Sequence, residues 1–211
     1  MTQYTIHAEK VKKTFNRKLI FSDISFSLSN RQSLVITGRN GAGKSTLIKI
    51  IAALSSPTAG KIHASENGKA IDPGVLFQYI GFVAPYLQLY EEFSAWENLH
   101  LLRKIRDIEV DDGKLRSLLE LVQLDHRRHD IVRTFSSGMK QRMKYACALL
   151  HDPVFLLLDE PTANLDVAGR TIVQNIIEEQ RKSGIVIVAT NEPAEIAWCK
   201  QSINLEVPNG K

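Results

Sequence analysis

A chain of 211 residues, 44% hydrophobic and 24% charged, has ample length for a buried core and the balance of an ordinary globular protein. Its net charge of +4 suits a phosphate ligand or an anionic membrane face and is too diffuse to argue for nucleic acid. No run approaches ~18 apolar residues and Met1–Lys10 lacks a signal-peptide core, so a cytoplasmic chain with no membrane span is expected.

In chain order, Tyr4–Val11 and Leu19–Leu28 alternate apolar and polar residues as half-buried strands do, although Phe21 breaks the alternation. The stretch Lys12–Lys18 between them reads as a polar turn. Its one aromatic, Phe15, is open to three readings: a surface residue, a core plug, or a platform on which a purine stacks. Leu34–Thr37 is a short buried strand that feeds Gly38-Arg39-Asn40-Gly41-Ala42-Gly43-Lys44-Ser45-Thr46, the spacing G-x-x-x-x-G-K-[ST] of a phosphate-binding loop. Gly38, Gly41 and Gly43 allow backbone conformations that turn successive N–H groups into one concavity. A helix from about Lys44 adds its positive end, Lys44 a mobile cation for the β- and γ-phosphates, and Ser45 a hydroxyl ligand for Mg²⁺.

The helix is expected to run to Leu54, and Pro57 and Gly60 close it. Lys61–Ala64 reads as a strand, Glu66–Lys69 as a hairpin turn, Asp72-Pro73 as the start of a short turn or helix, and Tyr79–Ala84 as a further strand. From Pro85 to about Leu150 the pattern becomes helical. Ser94-Ala95-Trp96-Glu97 is a capping box, Asp111–Leu124 an amphipathic helix, and Gly138–Leu150 another, entered through Ser136-Ser137-Gly138. Taken alone, those last three residues are an ordinary helix cap.

Phe155–Leu158 followed by Asp159-Glu160 describes a buried strand that delivers two carboxylates to its C-terminal end, where α/β sheets bind ligands. Asp159 would hold the Mg²⁺ shell and Glu160 accept a proton from attacking water. Val167–Lys182 is an amphipathic helix and Ile185–Ala189 a strand followed by Thr190-Asn191-Glu192. A helix from Pro193 to about Cys199 and a strand near Ile203–Val207 complete the chain. Cys147 and Cys199 are far apart without metal-ligand spacing, as in a reducing compartment, and the densest basic spot, Arg127-Arg128, reads as a solvated loop.

The ordered set of motifs resembles the nucleotide-binding subunit of ATP-binding-cassette (ABC) transporters over essentially the full length. The loop Gly38–Thr46 precedes Phe135-Ser136-Ser137-Gly138-Met139, which is similar to the LSGGQ signature, then Asp159-Glu160 and the D-loop-like Pro161-Thr162-Ala163-Asn164-Leu165-Asp166. Phe15 matches the aromatic that stacks on adenine. The resemblance implies an α/β P-loop fold with an N-terminal antiparallel β subdomain. It divides the chain into a core of residues 1–84 and 151–211 and a helical lobe of 85–150.

It also implies a head-to-tail dimer, with itself or with a paralogous cassette, in which Ser136 and Gly138 meet the ATP across the interface, and Asp166, at the end of the D-loop-like stretch, is a further expected ATP-binding residue. ATP and Mg²⁺ are the expected cofactors. A separate integral membrane permease is the expected partner, holding the subunit on the inner face of the membrane, and the short cassette points by analogy to an exporter. Tyr86, Leu87, Leu89, Tyr90 and Phe93 are apolar for a loop and read equally as a permease-docking surface or as lobe core.

Three departures set this chain apart. The glutamine that should end the strand at Val83 is replaced by Pro85, with Gln88 three residues on. The switch histidine is Asn191, which hydrogen-bonds through its amide but carries no proton near neutral pH. The signature has Ser137 and Met139 where a glycine and a glutamine are usual. The first two leave room for a second reading, an ATP-binding switch paired with an active paralogue. A soluble ABC ATPase acting on DNA or ribosomes is a third, which lacks the coiled coils or tandem cassettes expected for it.

Overall fold

A computed structural model describes residues 2–205. Two long strands, β1 (Tyr4–Phe15) and β2 (Lys18–Ser29), open the chain. The expected seven-residue turn between them shrinks to Asn16-Arg17, both left-handed at φ 47° and 65°, so the hairpin closes in two residues. Phe21 is buried because the pairing of β1 with β2 slips three times, between Ala8 and Val11, Val11 and Lys13, and Lys13 and Thr14. Each slip resets which side chains face inward. A broken alternation in the sequence is therefore a bulged strand.

After β3 (Ser33–Thr37) and α1 (Lys44–Ile51), β4 (Ala59–Glu66) and β5 (Lys69–Ala70) form the expected hairpin around Asn67-Gly68, at φ 50° and 80°. The antiparallel sheet is ordered β2-β1-β4-β5. A 3₁₀ turn at Leu76–Gln78 leads into β6 (Ile80–Val83). Three helices follow, α2 (Ala95–Ile105), α3 (Asp112–Leu121) and α4 (Ser137–Ala148). The chain then returns through β7 (Phe155–Asp159), α5 (Val167–Gln180), β8 (Ile185–Ala189), the short α6 (Pro193–Ile196) and β9 (Gln201–Asn204).

The second sheet is parallel at every pairing, ordered β6-β7-β8-β3-β9. Every residue of β7 and β8 is buried. That is why these strands read as continuous apolar runs without alternation: both of their faces are covered. Leu156, Leu158, Val186 and Val188 pack with α5 and the α2–α4 helices, whereas Phe155, Leu157, Ile185 and Ile187 pack with α1 and the antiparallel sheet. The period-2 geometry of a strand splits one apolar run between two cores.

Several helices stop earlier than their apolar patterns suggest. α1 ends at Ile51, followed by Ala53 at φ 57°, and Leu54 lies 63% exposed. α3 ends at Leu121, before Gln123 at φ 56°. Non-glycine residues in the left-handed region terminate both helices, so the glycine that usually marks a helix end is absent from the sequence. The last strand starts earlier than expected, since Gln201–Asn204 pair with Leu34–Thr37 at the sheet edge; Glu206 and Val207 lie outside the described residues.

The capping box forms as expected. Ser94 Oγ accepts the Glu97 N–H at 3.2 Å, and Glu97 Oε2 accepts the Ser94 N–H at 2.7 Å. The Ser94 hydroxyl also donates to Glu97 Oε2 at 2.8 Å, so replacing Ser94 with alanine removes both hydroxyl contacts of a buried cap and should lower stability by about 1 kcal/mol, read from urea unfolding midpoints.

A second polar tie joins α2 to the sheet. Arg106 donates to His151 Nδ1 at 3.0 Å, and His151 Nε2 donates to the Ile80 carbonyl at 3.0 Å; a guanidinium only donates and a carbonyl only accepts, which fixes the imidazole as neutral. Burial and then the Arg106 charge push His151 from the ordinary 6.5 to about 4, against the Ile80 bond and the Asp152 charge. The unfolded chain takes up this proton below about pH 6.5 and the folded chain only near pH 4. The contribution is complete above pH 6.5 and lost as pH falls through that window. His151→Gln should therefore flatten the loss of stability between pH 6.5 and 4, measured as urea midpoints along the pH series.

Candidate functional site

Because the second sheet is parallel, β3, β7 and β8 deliver their C-terminal residues to one edge. The loop Gly38–Gly43 leaves β3 there and turns into α1, with Gly43 as the left-handed N-cap at φ 101°. A side chain at Gly43 would meet Ile20 at 2.4 Å, and one at Gly38 the Leu205 carbonyl at 2.5 Å. The loop is therefore wedged between β2 and the strand-β9 exit, and only glycine fits at its two ends. Lys44 is buried and its ammonium donates to the Gly38 carbonyl at 2.8 Å, which holds it over the loop.

Asp159 ends β7 facing this loop. Its carboxylate is buried, and Oδ1 has no hydrogen-bond partner. Burial raises its affinity for a proton, and the Glu160 charge adds to this; the Ser45 hydroxyl, then the charges of Lys49 and Lys44, pull it back. A buried carboxylate oxygen without a partner is costly unless something else completes it. Asp159 and Ser45 fit a magnesium ion, which characteristically takes one or two protein oxygens and completes its shell with water and phosphate. Among the described residues no group of three or more His, Cys, Asp or Glu forms a metal cage.

Glu160 is exposed, takes φ 47°, and donates its N–H to the Ala189 carbonyl at 2.9 Å. That bond prolongs the β7–β8 ladder by one step while the left-handed backbone turns the chain out of the sheet. Asn191, just past β8, donates its amide to Asn40 Oδ1 at 2.9 Å and so reaches directly to the phosphate-type loop. The structure thus brings together the loop 38–46, Asp159, Glu160 and Asn191.

Other expected residues stand apart. Phe15 is 49% exposed, with the Lys13 ammonium 4.8 Å from its ring centroid, so it is no core plug. Ser136 caps α4 by accepting the Met139 N–H at 3.2 Å. Gly138 lies against the Asn164 carbonyl, which an added Cβ would approach to 3.0 Å. Asp166 caps α5 through the Gly169 N–H at 2.8 Å. Each of these contacts is outside the loop 38–46.

Sequence reasoning missed the groups that position the loop after β7. Tyr145 Oη and Gln141 Nε2 donate to the Pro161 carbonyl at 2.8 and 3.2 Å. Buried Glu195 accepts from the Thr162 N–H at 3.3 Å and from its hydroxyl. The i, i+4 spacing of Gln141 and Tyr145 was a signal for a shared helix face; Glu195, in a four-residue helix, gave none.

The apolar loop after β6 is part core and part exposed surface. Leu89 packs against the core, whereas Tyr90 and Phe93 stack at 5.9 Å and remain 57% and 40% exposed. Leu87, Leu89 and Tyr90 line a cleft of 340 Å³ together with Phe77 and Phe82, Leu102 and Arg106 of the α2 end, and Lys144, Cys147 and Ala148 of α4.

A family model described as "ABC transporter" matches residues 21–163. The linearmycin resistance ATP-binding protein LnrL of Bacillus subtilis (strain 168) is 34% identical over 192 residues, 90% of this chain and 62% of that protein. Nod factor export ATP-binding protein I of Rhizobium sp. (strain N33) is 31% identical, over 93% of this chain and 66% of its own length, so this chain spans less than two thirds of either relative. A solved dimeric ATP-binding cassette in a post-hydrolysis state, bound to ADP and Pi, superposes with a TM-score of 0.83 at 22% identity, covering 96% of each chain. No helix among the described residues is long and apolar enough to cross a membrane. On the family match and the identity to curated relatives, the chain belongs to the ATP-binding subunits of ABC transporters.

Proposed function

We propose that this chain binds and hydrolyses ATP as a head-to-tail dimer and drives a separate integral membrane permease, working as an exporter from the cytoplasmic face. The observation that carries the reading is the division of the motifs. The loop 38–46, Asp159, Glu160 and Asn191 share one sheet edge, while Ser136 and Gly138 sit at an exposed end of α4. A second copy, turned head to tail, is the simplest way to bring a signature to each loop. The names of the resistance and export relatives support the transport role, and the solved dimer supports the assembly.

In this reading Lys44 exchanges the Gly38 carbonyl for the β- and γ-phosphates, and the loop's N–H groups receive the oxygens between them. Phe15 stacks on the adenine, and Arg39, Asn40, Ala42 and Thr46 complete the loop's contacts. Ser45 and Asp159 hold Mg²⁺, which when bound neutralises charge on the phosphates. Glu160 accepts the proton of the water whose oxygen bonds the γ-phosphorus as the bridging β–γ bond breaks. Asn191, anchored on Asn40, donates an amide hydrogen where a histidine is usual. Residues 85–150 form the lobe that meets the permease, and the 340 Å³ cleft with exposed Tyr90 and Phe93 supports an apolar docking segment.

Glu160→Gln should lower ATP turnover by about 10²–10⁴-fold and accumulate ATP-bound dimers, followed by phosphate release and size-exclusion chromatography. A mutant that neither slows nor traps, beside an active wild type, would take the base role away from Glu160.

The weakened donor at Asn191 predicts slow basal turnover, since one positioned transition-state donor is worth about 10²–10³ in rate. Asn191→His should speed hydrolysis by the purified subunit toward that range. Rapid wild-type turnover that the histidine leaves unchanged would refute this account. The Pro85 and Asn191 departures favour one second reading, a switch subunit paired with an active paralogue. Absence of both turnover and dimers in wild type and Glu160→Gln alike would select it.

A further inference from the structure

The corner after β6 carries a feature that none of the roles above uses. Pro85 cannot supply the polar arm usual there, yet the corner is held by two lysines. Lys144, from α4, donates to the Ala84 and Pro85 carbonyls at 3.1 and 2.8 Å and fixes the backbone that presents Tyr86. Tyr86 packs against Phe82 with ring centroids 6.3 Å apart, and the Lys49 ammonium lies 4.0 Å from the Tyr86 ring centroid.

Lys49 sits one helical turn beyond Ser45, so the two share a face of α1. Ser45 contacts Asp159, and both Lys49 and Tyr86 interact with the charge of Asp159. A lysine in the field of a buried carboxylate would ordinarily pair with it, because an opposite charge is the cheapest way to satisfy a buried acid. Here no ion pair joins them, and Asp159 Oδ1 has no hydrogen-bond partner. The aromatic face offers the ammonium a competing position, worth enough to divert a mobile cation.

Resting on the reading of Asp159 as a metal ligand, we infer that Tyr86 holds Lys49 off Asp159 and so keeps the carboxylate oxygen open for the divalent cation. Lys49 still neutralises part of the carboxylate's field from a distance without occupying its coordination site. Tyr86 is a positioning residue, acting through Lys49. The lobe enters through Lys144, which sets where the ring stands.

The test is metal affinity, independent of turnover. Mn²⁺ is titrated into the ATP-loaded Glu160→Gln background, with free Mn²⁺ read by electron paramagnetic resonance, and ATP affinity is measured separately in EDTA. Tyr86→Leu should weaken Mn²⁺ binding by roughly fivefold to thirtyfold while leaving metal-free ATP affinity unchanged. Tyr86→Phe, which keeps the ring face, should bind Mn²⁺ as the parent does. Adding Lys49→Gln to Tyr86→Leu should restore Mn²⁺ affinity, because the competing cation is gone; a loss of packing alone would not be rescued. Parental Mn²⁺ affinity in Tyr86→Leu, a defect that Lys49→Gln does not relieve, or an equal loss in Tyr86→Phe would each overturn the inference. A parent that takes up no ATP would overturn the nucleotide-site reading, and this inference with it.

Discussion

Burial of both faces of the parallel sheet is the constraint on which the rest depends. With β7 and β8 wholly enclosed, their backbone groups pair only with neighbouring strands, and their polar residues have nowhere to go but the ends. Asp159 stands at such an end. Parallel pairing from Phe155↔Ile185 to Asp159↔Ala189, and from Ser33↔Val186 to Ile36↔Ala189, then brings the exits of β3, β7 and β8 into register on one edge. A site assembled from loops far apart in the chain follows from that register.

The two cores give the site its mechanical character. The face under α1 is shared with the antiparallel sheet, and Ile20 and Phe21 of β2 press on Gly43, so the phosphate-type loop is braced by a strand outside the sheet that carries it. The opposite face is shared with α2–α4 and α5, and from it Tyr145 and Gln141 hold the Pro161 carbonyl while Glu195 holds Thr162. The loop after Glu160 is therefore tied to the helix that begins at the signature residues and to the helix that follows Asn191. Lys144 makes the matching tie to the loop after β6. Movement of α4 would be felt at both loops, through buried hydrogen bonds that are expensive to leave unmade.

The departures from the family pattern acquire a structural context. Proline at position 85 removes a side chain that could reach the edge, and the Tyr86–Lys49 pair stands in that corner instead. Asn191 is held by Asn40, a short neutral contact where a titratable ring would otherwise sit. Both changes leave the buried carboxylate and the loop intact, which places the alteration in how the edge is tuned and not in whether it is built.

Much of this was legible in the sequence because it is local. The glycine spacing of 38–43, the Ser94–Glu97 capping box, the Asn67-Gly68 hairpin and the uninterrupted apolar runs of β7 and β8 each record backbone geometry within a few residues. The order of motifs along the chain carried the family. What only the tertiary structure decided is set by groups distant in sequence. The bulges that bury Phe21, the left-handed stops at Ala53 and Gln123, and the ties of Glu195 to Thr162 and Tyr145 to Pro161 have no local pattern that compels them. The same holds for Lys49, which reads as one more helix lysine until folding sets it over the Tyr86 ring and within the field of Asp159. A sequence fixes which groups a chain owns and the local geometry they prefer. Which charge meets which, and which buried oxygen is left without a partner, depends on packing between segments that the chain order does not join.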